Sequence, residues 1–177
     1  MKEEPLPPKL TEREELLLEV GTNTNDYRDI SQHLKVLNLG CGTSLLAEEL
    51  FETDGFLDIL NIDLSPFCIR QMRQRAVKQK LPETIVFKQM DCRLIKLPSD
   101  SVNLVIDKAT LDSLLCGNRA FKKTAQMLDE VQRVLKIGGM YLAISFAPPE
   151  SRLLHLQRAH LGWHIETIEI QRNDSGH

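Results

Sequence analysis

Residues 36–44 read VLNLGCGTS, an apolar run that ends abruptly in two closely spaced glycines. An amphipathic segment, LLAEELF, follows directly, so the pattern predicts a buried strand, a tight turn and a helix. Gly40 and Gly42 let the backbone turn tightly and approach a ligand without a Cβ in the way. Such an entrance to a helix typically holds the polar end of a nucleotide-like ligand on its exposed N–H groups.

The pattern of short apolar runs continues along the chain. Four more follow the first, and longer amphipathic segments separate most of them: DILNIDL, TIVFKQM, VNLVID and GMYLAISF. Runs without strict alternation suit strands that are covered on both faces. Strands that alternate with helices predict an α/β fold, here a doubly wound, mostly parallel, Rossmann-like sheet with helices on both faces. Gly138 and Gly139 are expected to break the chain just before the fifth run.

The segments between the runs have helical patterns. Segment 121–135 is predicted to be an amphipathic helix, and one apolar stripe of it holds Phe121, Ala125, Leu128, Val131 and Leu135. The basic residues in the helical segment 70–80 are interpreted as a solvated helix face, which could also attract an acidic partner.

Length and composition describe one soluble globular domain. The chain has 177 residues, of which 42% are hydrophobic and 27% are charged. Residues 1–10 are predicted to form a disordered tail, and residues 11–177 a single domain that starts with a capping box at residues 11–14. A net charge of −3 argues against nucleic-acid binding through general electrostatic attraction. No apolar run approaches the roughly 20 residues that a membrane span needs.

The cysteines and histidines indicate neither a metal site nor a disulfide framework. The four cysteines are widely separated without a CxxC pair: Cys41, Cys68, Cys92 and Cys116. They are predicted to be reduced thiols in a cytoplasmic protein, and the N-terminus resembles neither a signal peptide nor a transit sequence. Three histidines fall in a predicted helix and the strand after it, without zinc-ligand spacing: His155, His160 and His164.

An acidic residue ends the second apolar run. Asp63 lies about 20 residues past the glycines, where a carboxylate can accept hydrogen bonds from two ribose hydroxyls. A helix cap is the structural alternative for Asp63. Because Ser65 and Pro66 already have the form of a helix start, Asp63 is freer to bind a ligand.

Two ligand classes fit this arrangement, a dinucleotide and S-adenosyl-L-methionine. The dinucleotide fingerprint requires a third glycine, and this chain has Leu45 there, which disfavours an NAD-dependent oxidoreductase. A ligand without phosphates does not need that close approach. Asp91 and Cys92 follow the third run, where a carboxylate could accept a hydrogen bond from an adenine amino group. Asp107 and Lys108 end the fourth run at the open edge of the site.

At these motifs the chain resembles the class I (seven-β-strand) S-adenosyl-L-methionine-dependent methyltransferases. It is most similar to the elongation factor 1-alpha lysine methyltransferase, or methyltransferase-like thirteen, group. VLNLGCGTS and NIDLSPFCIRQM match the glycine loop and ribose-binding strand of the group, and MDCRLIKLPSDSVNLVIDKATLDSLL matches the segments that follow. The resemblance extends from roughly residue 36 to residue 170. DKATLDSLL and AHLGW are its most specific motifs.

The resemblance implies a role for each motif residue. Residues expected to bind the cofactor are Asn38, Gly40, Cys41, Gly42, Asp63, Leu64, Asp91, Cys92 and Asp107. Asp107 and Lys108 are expected near the transferred methyl group. Asn38 replaces an acidic residue found in many such enzymes, and Ala109 replaces a glycine. An aromatic-rich N-terminal segment and the last strand of the fold are expected to be missing.

The predicted activity is methylation of a protein lysine, with S-adenosyl-L-homocysteine as the second product. The acceptor amine must be neutral to attack, against an ordinary pKa of about 10.4. Asp107 is predicted to orient this amine while its proton leaves to water. A cofactor-binding but inactive domain that binds a partner is the alternative, and an NAD-dependent oxidoreductase is a more distant one.

Overall fold

The computed structural model describes residues 24–170 of the protein. The predicted tail at residues 1–10 and the capping box at residues 11–14 lie outside the described residues. The strands are β1 (Lys35–Leu39), β2 (Asp58–Asp63), β3 (Ile85–Gln89), β4 (Val102–Lys108) and β5 (Leu135–Ile144). The α-helices are α1 (Thr24–Ser31), α2 (Leu46–Glu52), α3 (Pro66–Gln79), α4 (Thr110–Leu115), α5 (Ala120–Val134) and α6 (Pro149–Leu156).

The five strands form one parallel sheet in the order β3-β2-β1-β4-β5. The chain moves outward from β1 to β3, crosses back to β4 and then continues to β5 on the other side. The carboxyl ends of all five strands therefore meet at one edge, and the order reverses between β1 and β4. Ligands of open α/β sheets bind in the crevice at such a reversal. The predicted doubly wound, Rossmann-like sheet is confirmed.

Buried side chains cover both faces of the sheet, as the continuous apolar runs predicted. The cluster on the α5 side includes Leu37, Leu60, Val105, Leu128 and Val131. The cluster on the α2 and α3 side includes Val36, Ile59, Ile106, Ala47 and Ile69. Neighbouring residues of each strand thus point to opposite faces, and each face has its own helices. Burying each large apolar side chain stabilises the fold by about 1.5–3 kcal/mol.

Helix α5 confirms the predicted stripe only in part. Its buried residues are Thr124, Met127, Leu128, Val131 and Val134. Phe121 is exposed in the first turn of α5 and lies against the ring of His155, with the ring centroids 4.9 Å apart. Leu135 is buried, but it begins β5 and does not belong to the helix.

The glycine pair lies inside β5, so the expectation that it precedes the strand is wrong. Gly138 has φ +77°, and the pairing of β4 with β5 shifts in register nearby. A Cβ on Gly139 would lie 2.9 Å from the carbonyl oxygen of Lys136 and 3.0 Å from that of Asn103. Glycine is therefore required where the strand bulges.

The chain after β5 does not return to the sheet within the described residues. A 3-10 helix, Ala159–Leu161, follows α6, and residues 162–170 contain neither helix nor strand. The interpretation of the segment around His164 as a strand is therefore wrong. In the part of the chain from residue 24 to residue 170, no helix is long and apolar enough to cross a membrane.

Two asparagines connect the three strands of one half of the sheet. Asn38 and Asn61 are register partners on β1 and β2, and both are buried. The Nδ2 group of Asn38 donates to Oδ1 of Asn61 at 2.9 Å, and Asn61 donates in turn to the carbonyl oxygen of Val86 on β3. The buried polar groups thus satisfy one another, which avoids the cost of an unpaired amide.

Replacement Asn61→Leu is expected to lower the free energy of unfolding by about 1–3 kcal/mol, because the buried Asn38 amide loses its acceptor. The free energy of unfolding should fall less in the double variant Asn38→Leu/Asn61→Leu than the two single variants would predict if their losses were added. Urea denaturation of the four proteins measures this coupling. Additive losses, or no loss in Asn61→Leu, would contradict the assigned hydrogen bond.

Candidate active site

The two glycines of the loop after β1 have different surroundings. Gly40 and Gly42 have φ values of +58° and +53°, which residues with a Cβ rarely adopt. A Cβ on Gly40 would lie 2.1 Å from Oγ1 of Thr110, whereas a Cβ on Gly42 would meet nothing within 4 Å. Gly40 therefore allows α4 to pack against the loop. Gly42 borders open space at the crevice.

Thr110, which sequence reasoning missed, fastens this contact. Its hydroxyl group donates to the carbonyl oxygen of Leu39 at 2.8 Å, so the first residue of α4 is bound to the end of β1. The only signal for it was its place in the DKATLDSLL motif. Ala109 precedes it with φ +69°, in the left-handed region that costs a residue with a Cβ roughly 1–2 kcal/mol. A glycine, which the resemblance implies at this position, would adopt this conformation without that cost.

Asp63 joins the end of β2 to the glycine loop. Its Oδ2 accepts the N–H of Gly42 at 2.9 Å, and its Oδ1 accepts the N–H of Ser65 at 2.7 Å. The hydroxyl group of Ser65 accepts the N–H of Cys68 and caps α3, as predicted. A carboxylate has about four acceptor positions, so Asp63 can still accept further hydrogen bonds at the crevice. The structure brings Asp63 and the loop together, and ribose binding stays a prediction.

The end of β3 provides an ionised carboxylate beside apolar surface. The guanidinium group of Arg93 donates to both carboxylate oxygens of Asp91, with distances of 2.5–3.2 Å. These hydrogen bonds hold the pKa of Asp91 below its ordinary value. Leu64 is 63% exposed directly after Asp63, at the neighbouring strand end. Sequence reasoning missed the pairing of Arg93 with Asp91. The only sign of it in the sequence was that Arg93 lies two residues after Asp91.

Of the two cysteines assigned to cofactor binding, Cys41 is buried and Cys92 is partly buried. Burial, with a smaller effect from the charge of Asp63, raises the pKa of Cys41 to about 12. Burial and the neighbouring Asp91 likewise raise the pKa of Cys92 to about 12. Since the thiolate is the reactive form, both residues pack as neutral side chains near pH 7.

Asp107 is buried at the end of β4, with 1% of its surface exposed. Its carboxylate accepts the N–H groups of Thr110 and Leu111 and the hydroxyl group of Tyr141, the last at 2.9 Å. Burial raises the pKa of this carboxyl group although the hydrogen bonds oppose the shift. An incoming amine would have to displace one of these donors. The geometry therefore favours positioning of α4 by Asp107, and its predicted contact with an amine stays a prediction.

Asn38 and Lys108 occupy opposite environments. Asn38 is 2% exposed, and its amide donates to Asn61 inside the sheet. Lys108 follows Asp107 and is exposed at the carboxyl edge. Their predicted roles at the cofactor and at the methyl group stay predictions, and only Lys108 presents its side chain at the surface.

Arg75 is a positioning residue that sequence reasoning interpreted wrongly as part of a solvated face. It reaches from α3 to Glu48 of α2 with an Nε–Oε1 distance of 2.6 Å. Its other nitrogens donate to the carbonyl oxygens of Thr43 at 3.0 Å and Ser44 at 2.5 Å. The pattern missed this contact because α2 and its preceding loop fold over the polar side of α3. Arg75 thus holds the end of the glycine loop.

His155 and His160 both contact residues of α5. His155 is buried beside Phe121, and burial lowers its pKa. His160 has a carboxylate partner that sequence reasoning did not expect, since its Nε2 lies 2.9 Å from Asp129. Residues 28–170, the part with described side chains, hold no group of three potential metal ligands.

The sequence matches the family described as a methyltransferase domain over residues 30–170. The chain belongs to this family of methyltransferase domains. Two proteins of Bos taurus are similar to it. The eEF1A lysine and N-terminal methyltransferase is 35% identical over 149 residues, which cover 81% of this chain and 21% of that protein. The EEF1A lysine methyltransferase 4 is 35% identical over 139 residues, which cover 74% of this chain and 53% of that protein.

Solved structures share the fold at lower identity. A S-adenosylmethionine-dependent methyltransferase from Methanosarcina mazei has a TM-score of 0.58 at 22% identity, covering 76% of this chain and 61% of that chain. The cyclase SpnF has a TM-score of 0.55 at 19% identity, covering 67% of this chain and 41% of that chain. Because one of these proteins is a cyclase, the fold alone does not determine the reaction.

The crevice residues fit S-adenosyl-L-methionine, the predicted cofactor, which membership of the methyltransferase family confirms. Gly42 borders open space, Asp63 has free acceptor positions, and Leu64 presents apolar surface. Leu45 stands where a dinucleotide site needs its third glycine. These features suit a ligand that has a sugar and a base but no pyrophosphate.

Replacement Arg75→Lys is expected to weaken binding of S-adenosyl-L-homocysteine by about tenfold, or 1.4 kcal/mol, because lysine cannot hold Glu48 and two loop carbonyls together. Calorimetric titration measures the affinity. The matched control is Arg70→Lys, an exposed arginine of the same helix, which should bind as the unmodified protein does. Equal affinities for both variants would refute a role for Arg75 in holding the loop.

Proposed function

We propose that this chain methylates a lysine side chain of a protein, in the substrate class of elongation factor 1-alpha. The observation that carries the proposal is the similarity to two methyltransferases named for that substrate, which extends over 81% and 74% of the chain. The chain spans 21% and 53% of their lengths. Lysine methylation is therefore the only one of their activities proposed here, and it is proposed for the shared domain. The family membership disfavours the NAD-dependent alternative.

The proposed roles at the crevice follow from the contacts of each residue. When bound, the cofactor supplies a methyl group on a positively charged sulfur, which a neutral amine can attack. Gly42 would leave room for its methionine portion, and Asp63 would accept hydrogen bonds from its ribose. Asp91 would accept from the adenine amino group, and Leu64 would pack against the base. Alignment of two reacting groups is itself worth about 7–11 kcal/mol in favourable cases.

The residues at the end of β4 would keep the acceptor lysine neutral. Desolvation favours a neutral amine, and a nearby positive charge does the same. Lys108 supplies an exposed cation at this edge. Asp107 carries its charge below the surface, bonded to α4 and Tyr141, so its attraction for a protonated amine is reduced. In this proposal the proton of the amine leaves to water.

We also propose a cytoplasmic location for the protein. Support comes from its four cysteines, all of which are free thiols in the structure, as expected in a reducing compartment.

Incubation with methyl-labelled S-adenosyl-L-methionine and purified elongation factor 1-alpha is expected to label that protein on lysine, as peptide mass spectrometry would show. The matched control is the same substrate after chemical dimethylation of its lysines, which should accept much less label. Binding of S-adenosyl-L-homocysteine without any labelled product, including in a cell extract, would contradict the proposal and favour the inactive partner-binding domain.

A further inference from the structure

The segment between β5 and α6, residues 145–148, is fastened to α4 by a single carboxylate. Oδ1 of Asp112 accepts the hydroxyl group of Ser145 at 2.6 Å, and its Oδ2 accepts the N–H of Phe146 at 3.1 Å. The end of β5 is also bound to β4, because the N–H of Ala109 donates to the carbonyl oxygen of Ile144 at 3.0 Å. The backbone position of Phe146 is therefore fixed from two sides.

An arginine of α6 also binds Asp112 and Ser145, and we call Asp112, Ser145 and Arg152 together the clamp. Nε of Arg152 lies 2.9 Å from Oδ1 of Asp112 and 2.9 Å from the hydroxyl oxygen of Ser145, and its Nη2 lies 2.8 Å from Asp112. Both charged side chains are largely shielded from solvent. Burial raises the pKa of Asp112, but the hydrogen bonds from Ser145, Phe146 and Arg152 outweigh it, so the pKa is below the ordinary value. The carboxylate thus stays ionised and holds three elements together.

The clamp fixes the backbone of Phe146, whose aromatic ring is exposed to solvent. Phe146 is 88% exposed, although phenylalanine is among the residues most often buried. The ring extends from a backbone that three hydrogen-bonded elements hold in place. An exposed aromatic ring on a fixed support is a common feature of recognition surfaces, because little conformational freedom is lost when a partner binds.

The position of the ring separates it from the cofactor residues. Gly42, Asp63 and Asp91 lie at the ends of β1, β2 and β3, on one side of the reversal in strand order. Phe146 follows β5 at the same edge, on the other side of the reversal, next to α4. A methyl acceptor has to approach a cofactor bound over β1 to β3 from the side that the cofactor leaves open, which is the β4–β5 side.

We propose that residues 145–148 form one wall of the acceptor site and that Phe146 packs against the methylene stem of the target lysine. This inference rests on the proposed function. The four methylene groups of a lysine stem bury readily against an apolar ring. The same contact excludes water from the amine and so favours its neutral, reactive form. Asp112 and Arg152 are positioning residues for this wall.

The test compares steady-state kinetics of the whole chain with purified elongation factor 1-alpha as substrate. Phe146→Ala is expected to raise the KM for the protein substrate by about tenfold, with the affinity for S-adenosyl-L-homocysteine changed by less than about twofold. The matched control is Val77→Ala, which shortens an exposed apolar side chain near the end of α3. It should leave both quantities unchanged.

Arg152→Ala is expected to raise the same KM, and Arg152→Lys should restore part of the loss because it keeps a charge near Asp112. Arg133→Ala is the control for loss of an ion pair, since Arg133 binds Glu130 and the carbonyl oxygens of Ile95 and Leu97 away from the edge. It should lower the melting temperature without raising the KM, which separates positioning from general stability.

The two proposals fail in different ways. Methylation by the unmodified protein, with unchanged KM in Phe146→Ala and Arg152→Ala, would overturn the acceptor wall and leave the proposed function standing. A rise in KM accompanied by an equal loss of cofactor affinity would also overturn it. If the unmodified protein methylates no protein at all, the proposed function fails and the acceptor wall fails with it.

Discussion

The hydrogen bond from the N–H of Gly42 to the carboxylate of Asp63 joins the first strand to the second at the edge where the crevice lies. It holds a loop whose backbone conformation at Gly40 and Gly42 only glycine adopts easily. On the other side, Thr110 packs against Gly40 and binds the end of β1. Arg75 holds the carbonyl groups at the end of the loop. The loop beside the crevice is therefore held in place before any ligand arrives, which lowers the entropic cost of binding.

Three aspartates at the carboxyl edge have different structural roles because their neighbouring residues differ. Asp63 is partly exposed and keeps free acceptor positions, which suits a ligand with hydroxyl groups. Asp107 is buried, and its hydrogen bonds attach α4 to β5. Asp112 fixes the chain after β5 through Ser145 and Arg152. One half of the edge thus carries residues expected to bind the cofactor, and the other half holds α4 and residues 145–148, the proposed acceptor wall.

The sequence predicted the sheet, its two covered faces and the place of Asp63 at the end of the second strand, because apolar periodicity and glycine spacing are local signals. It did not predict the contacts of Arg75 or Tyr141, since these join residues far apart in the chain. Asp107 shows the limit most clearly. Its position at a strand end was correct, but only the folded chain shows that its carboxylate already binds α4 and Tyr141. The bulge that requires Gly139 likewise depends on the neighbouring strand.

The crevice between the ends of β1 and β2 is expected to bind S-adenosyl-L-methionine through Asp63. Calorimetric titration with S-adenosyl-L-homocysteine tests it most directly, using Asp63→Asn and, as a control at the other end of the same strand, Asp58→Asn. The account predicts saturable binding by the unmodified protein and by Asp58→Asn, with affinity lowered by about tenfold or more in Asp63→Asn. Equal affinity in all three proteins, or binding of NAD in place of S-adenosyl-L-homocysteine, would contradict it.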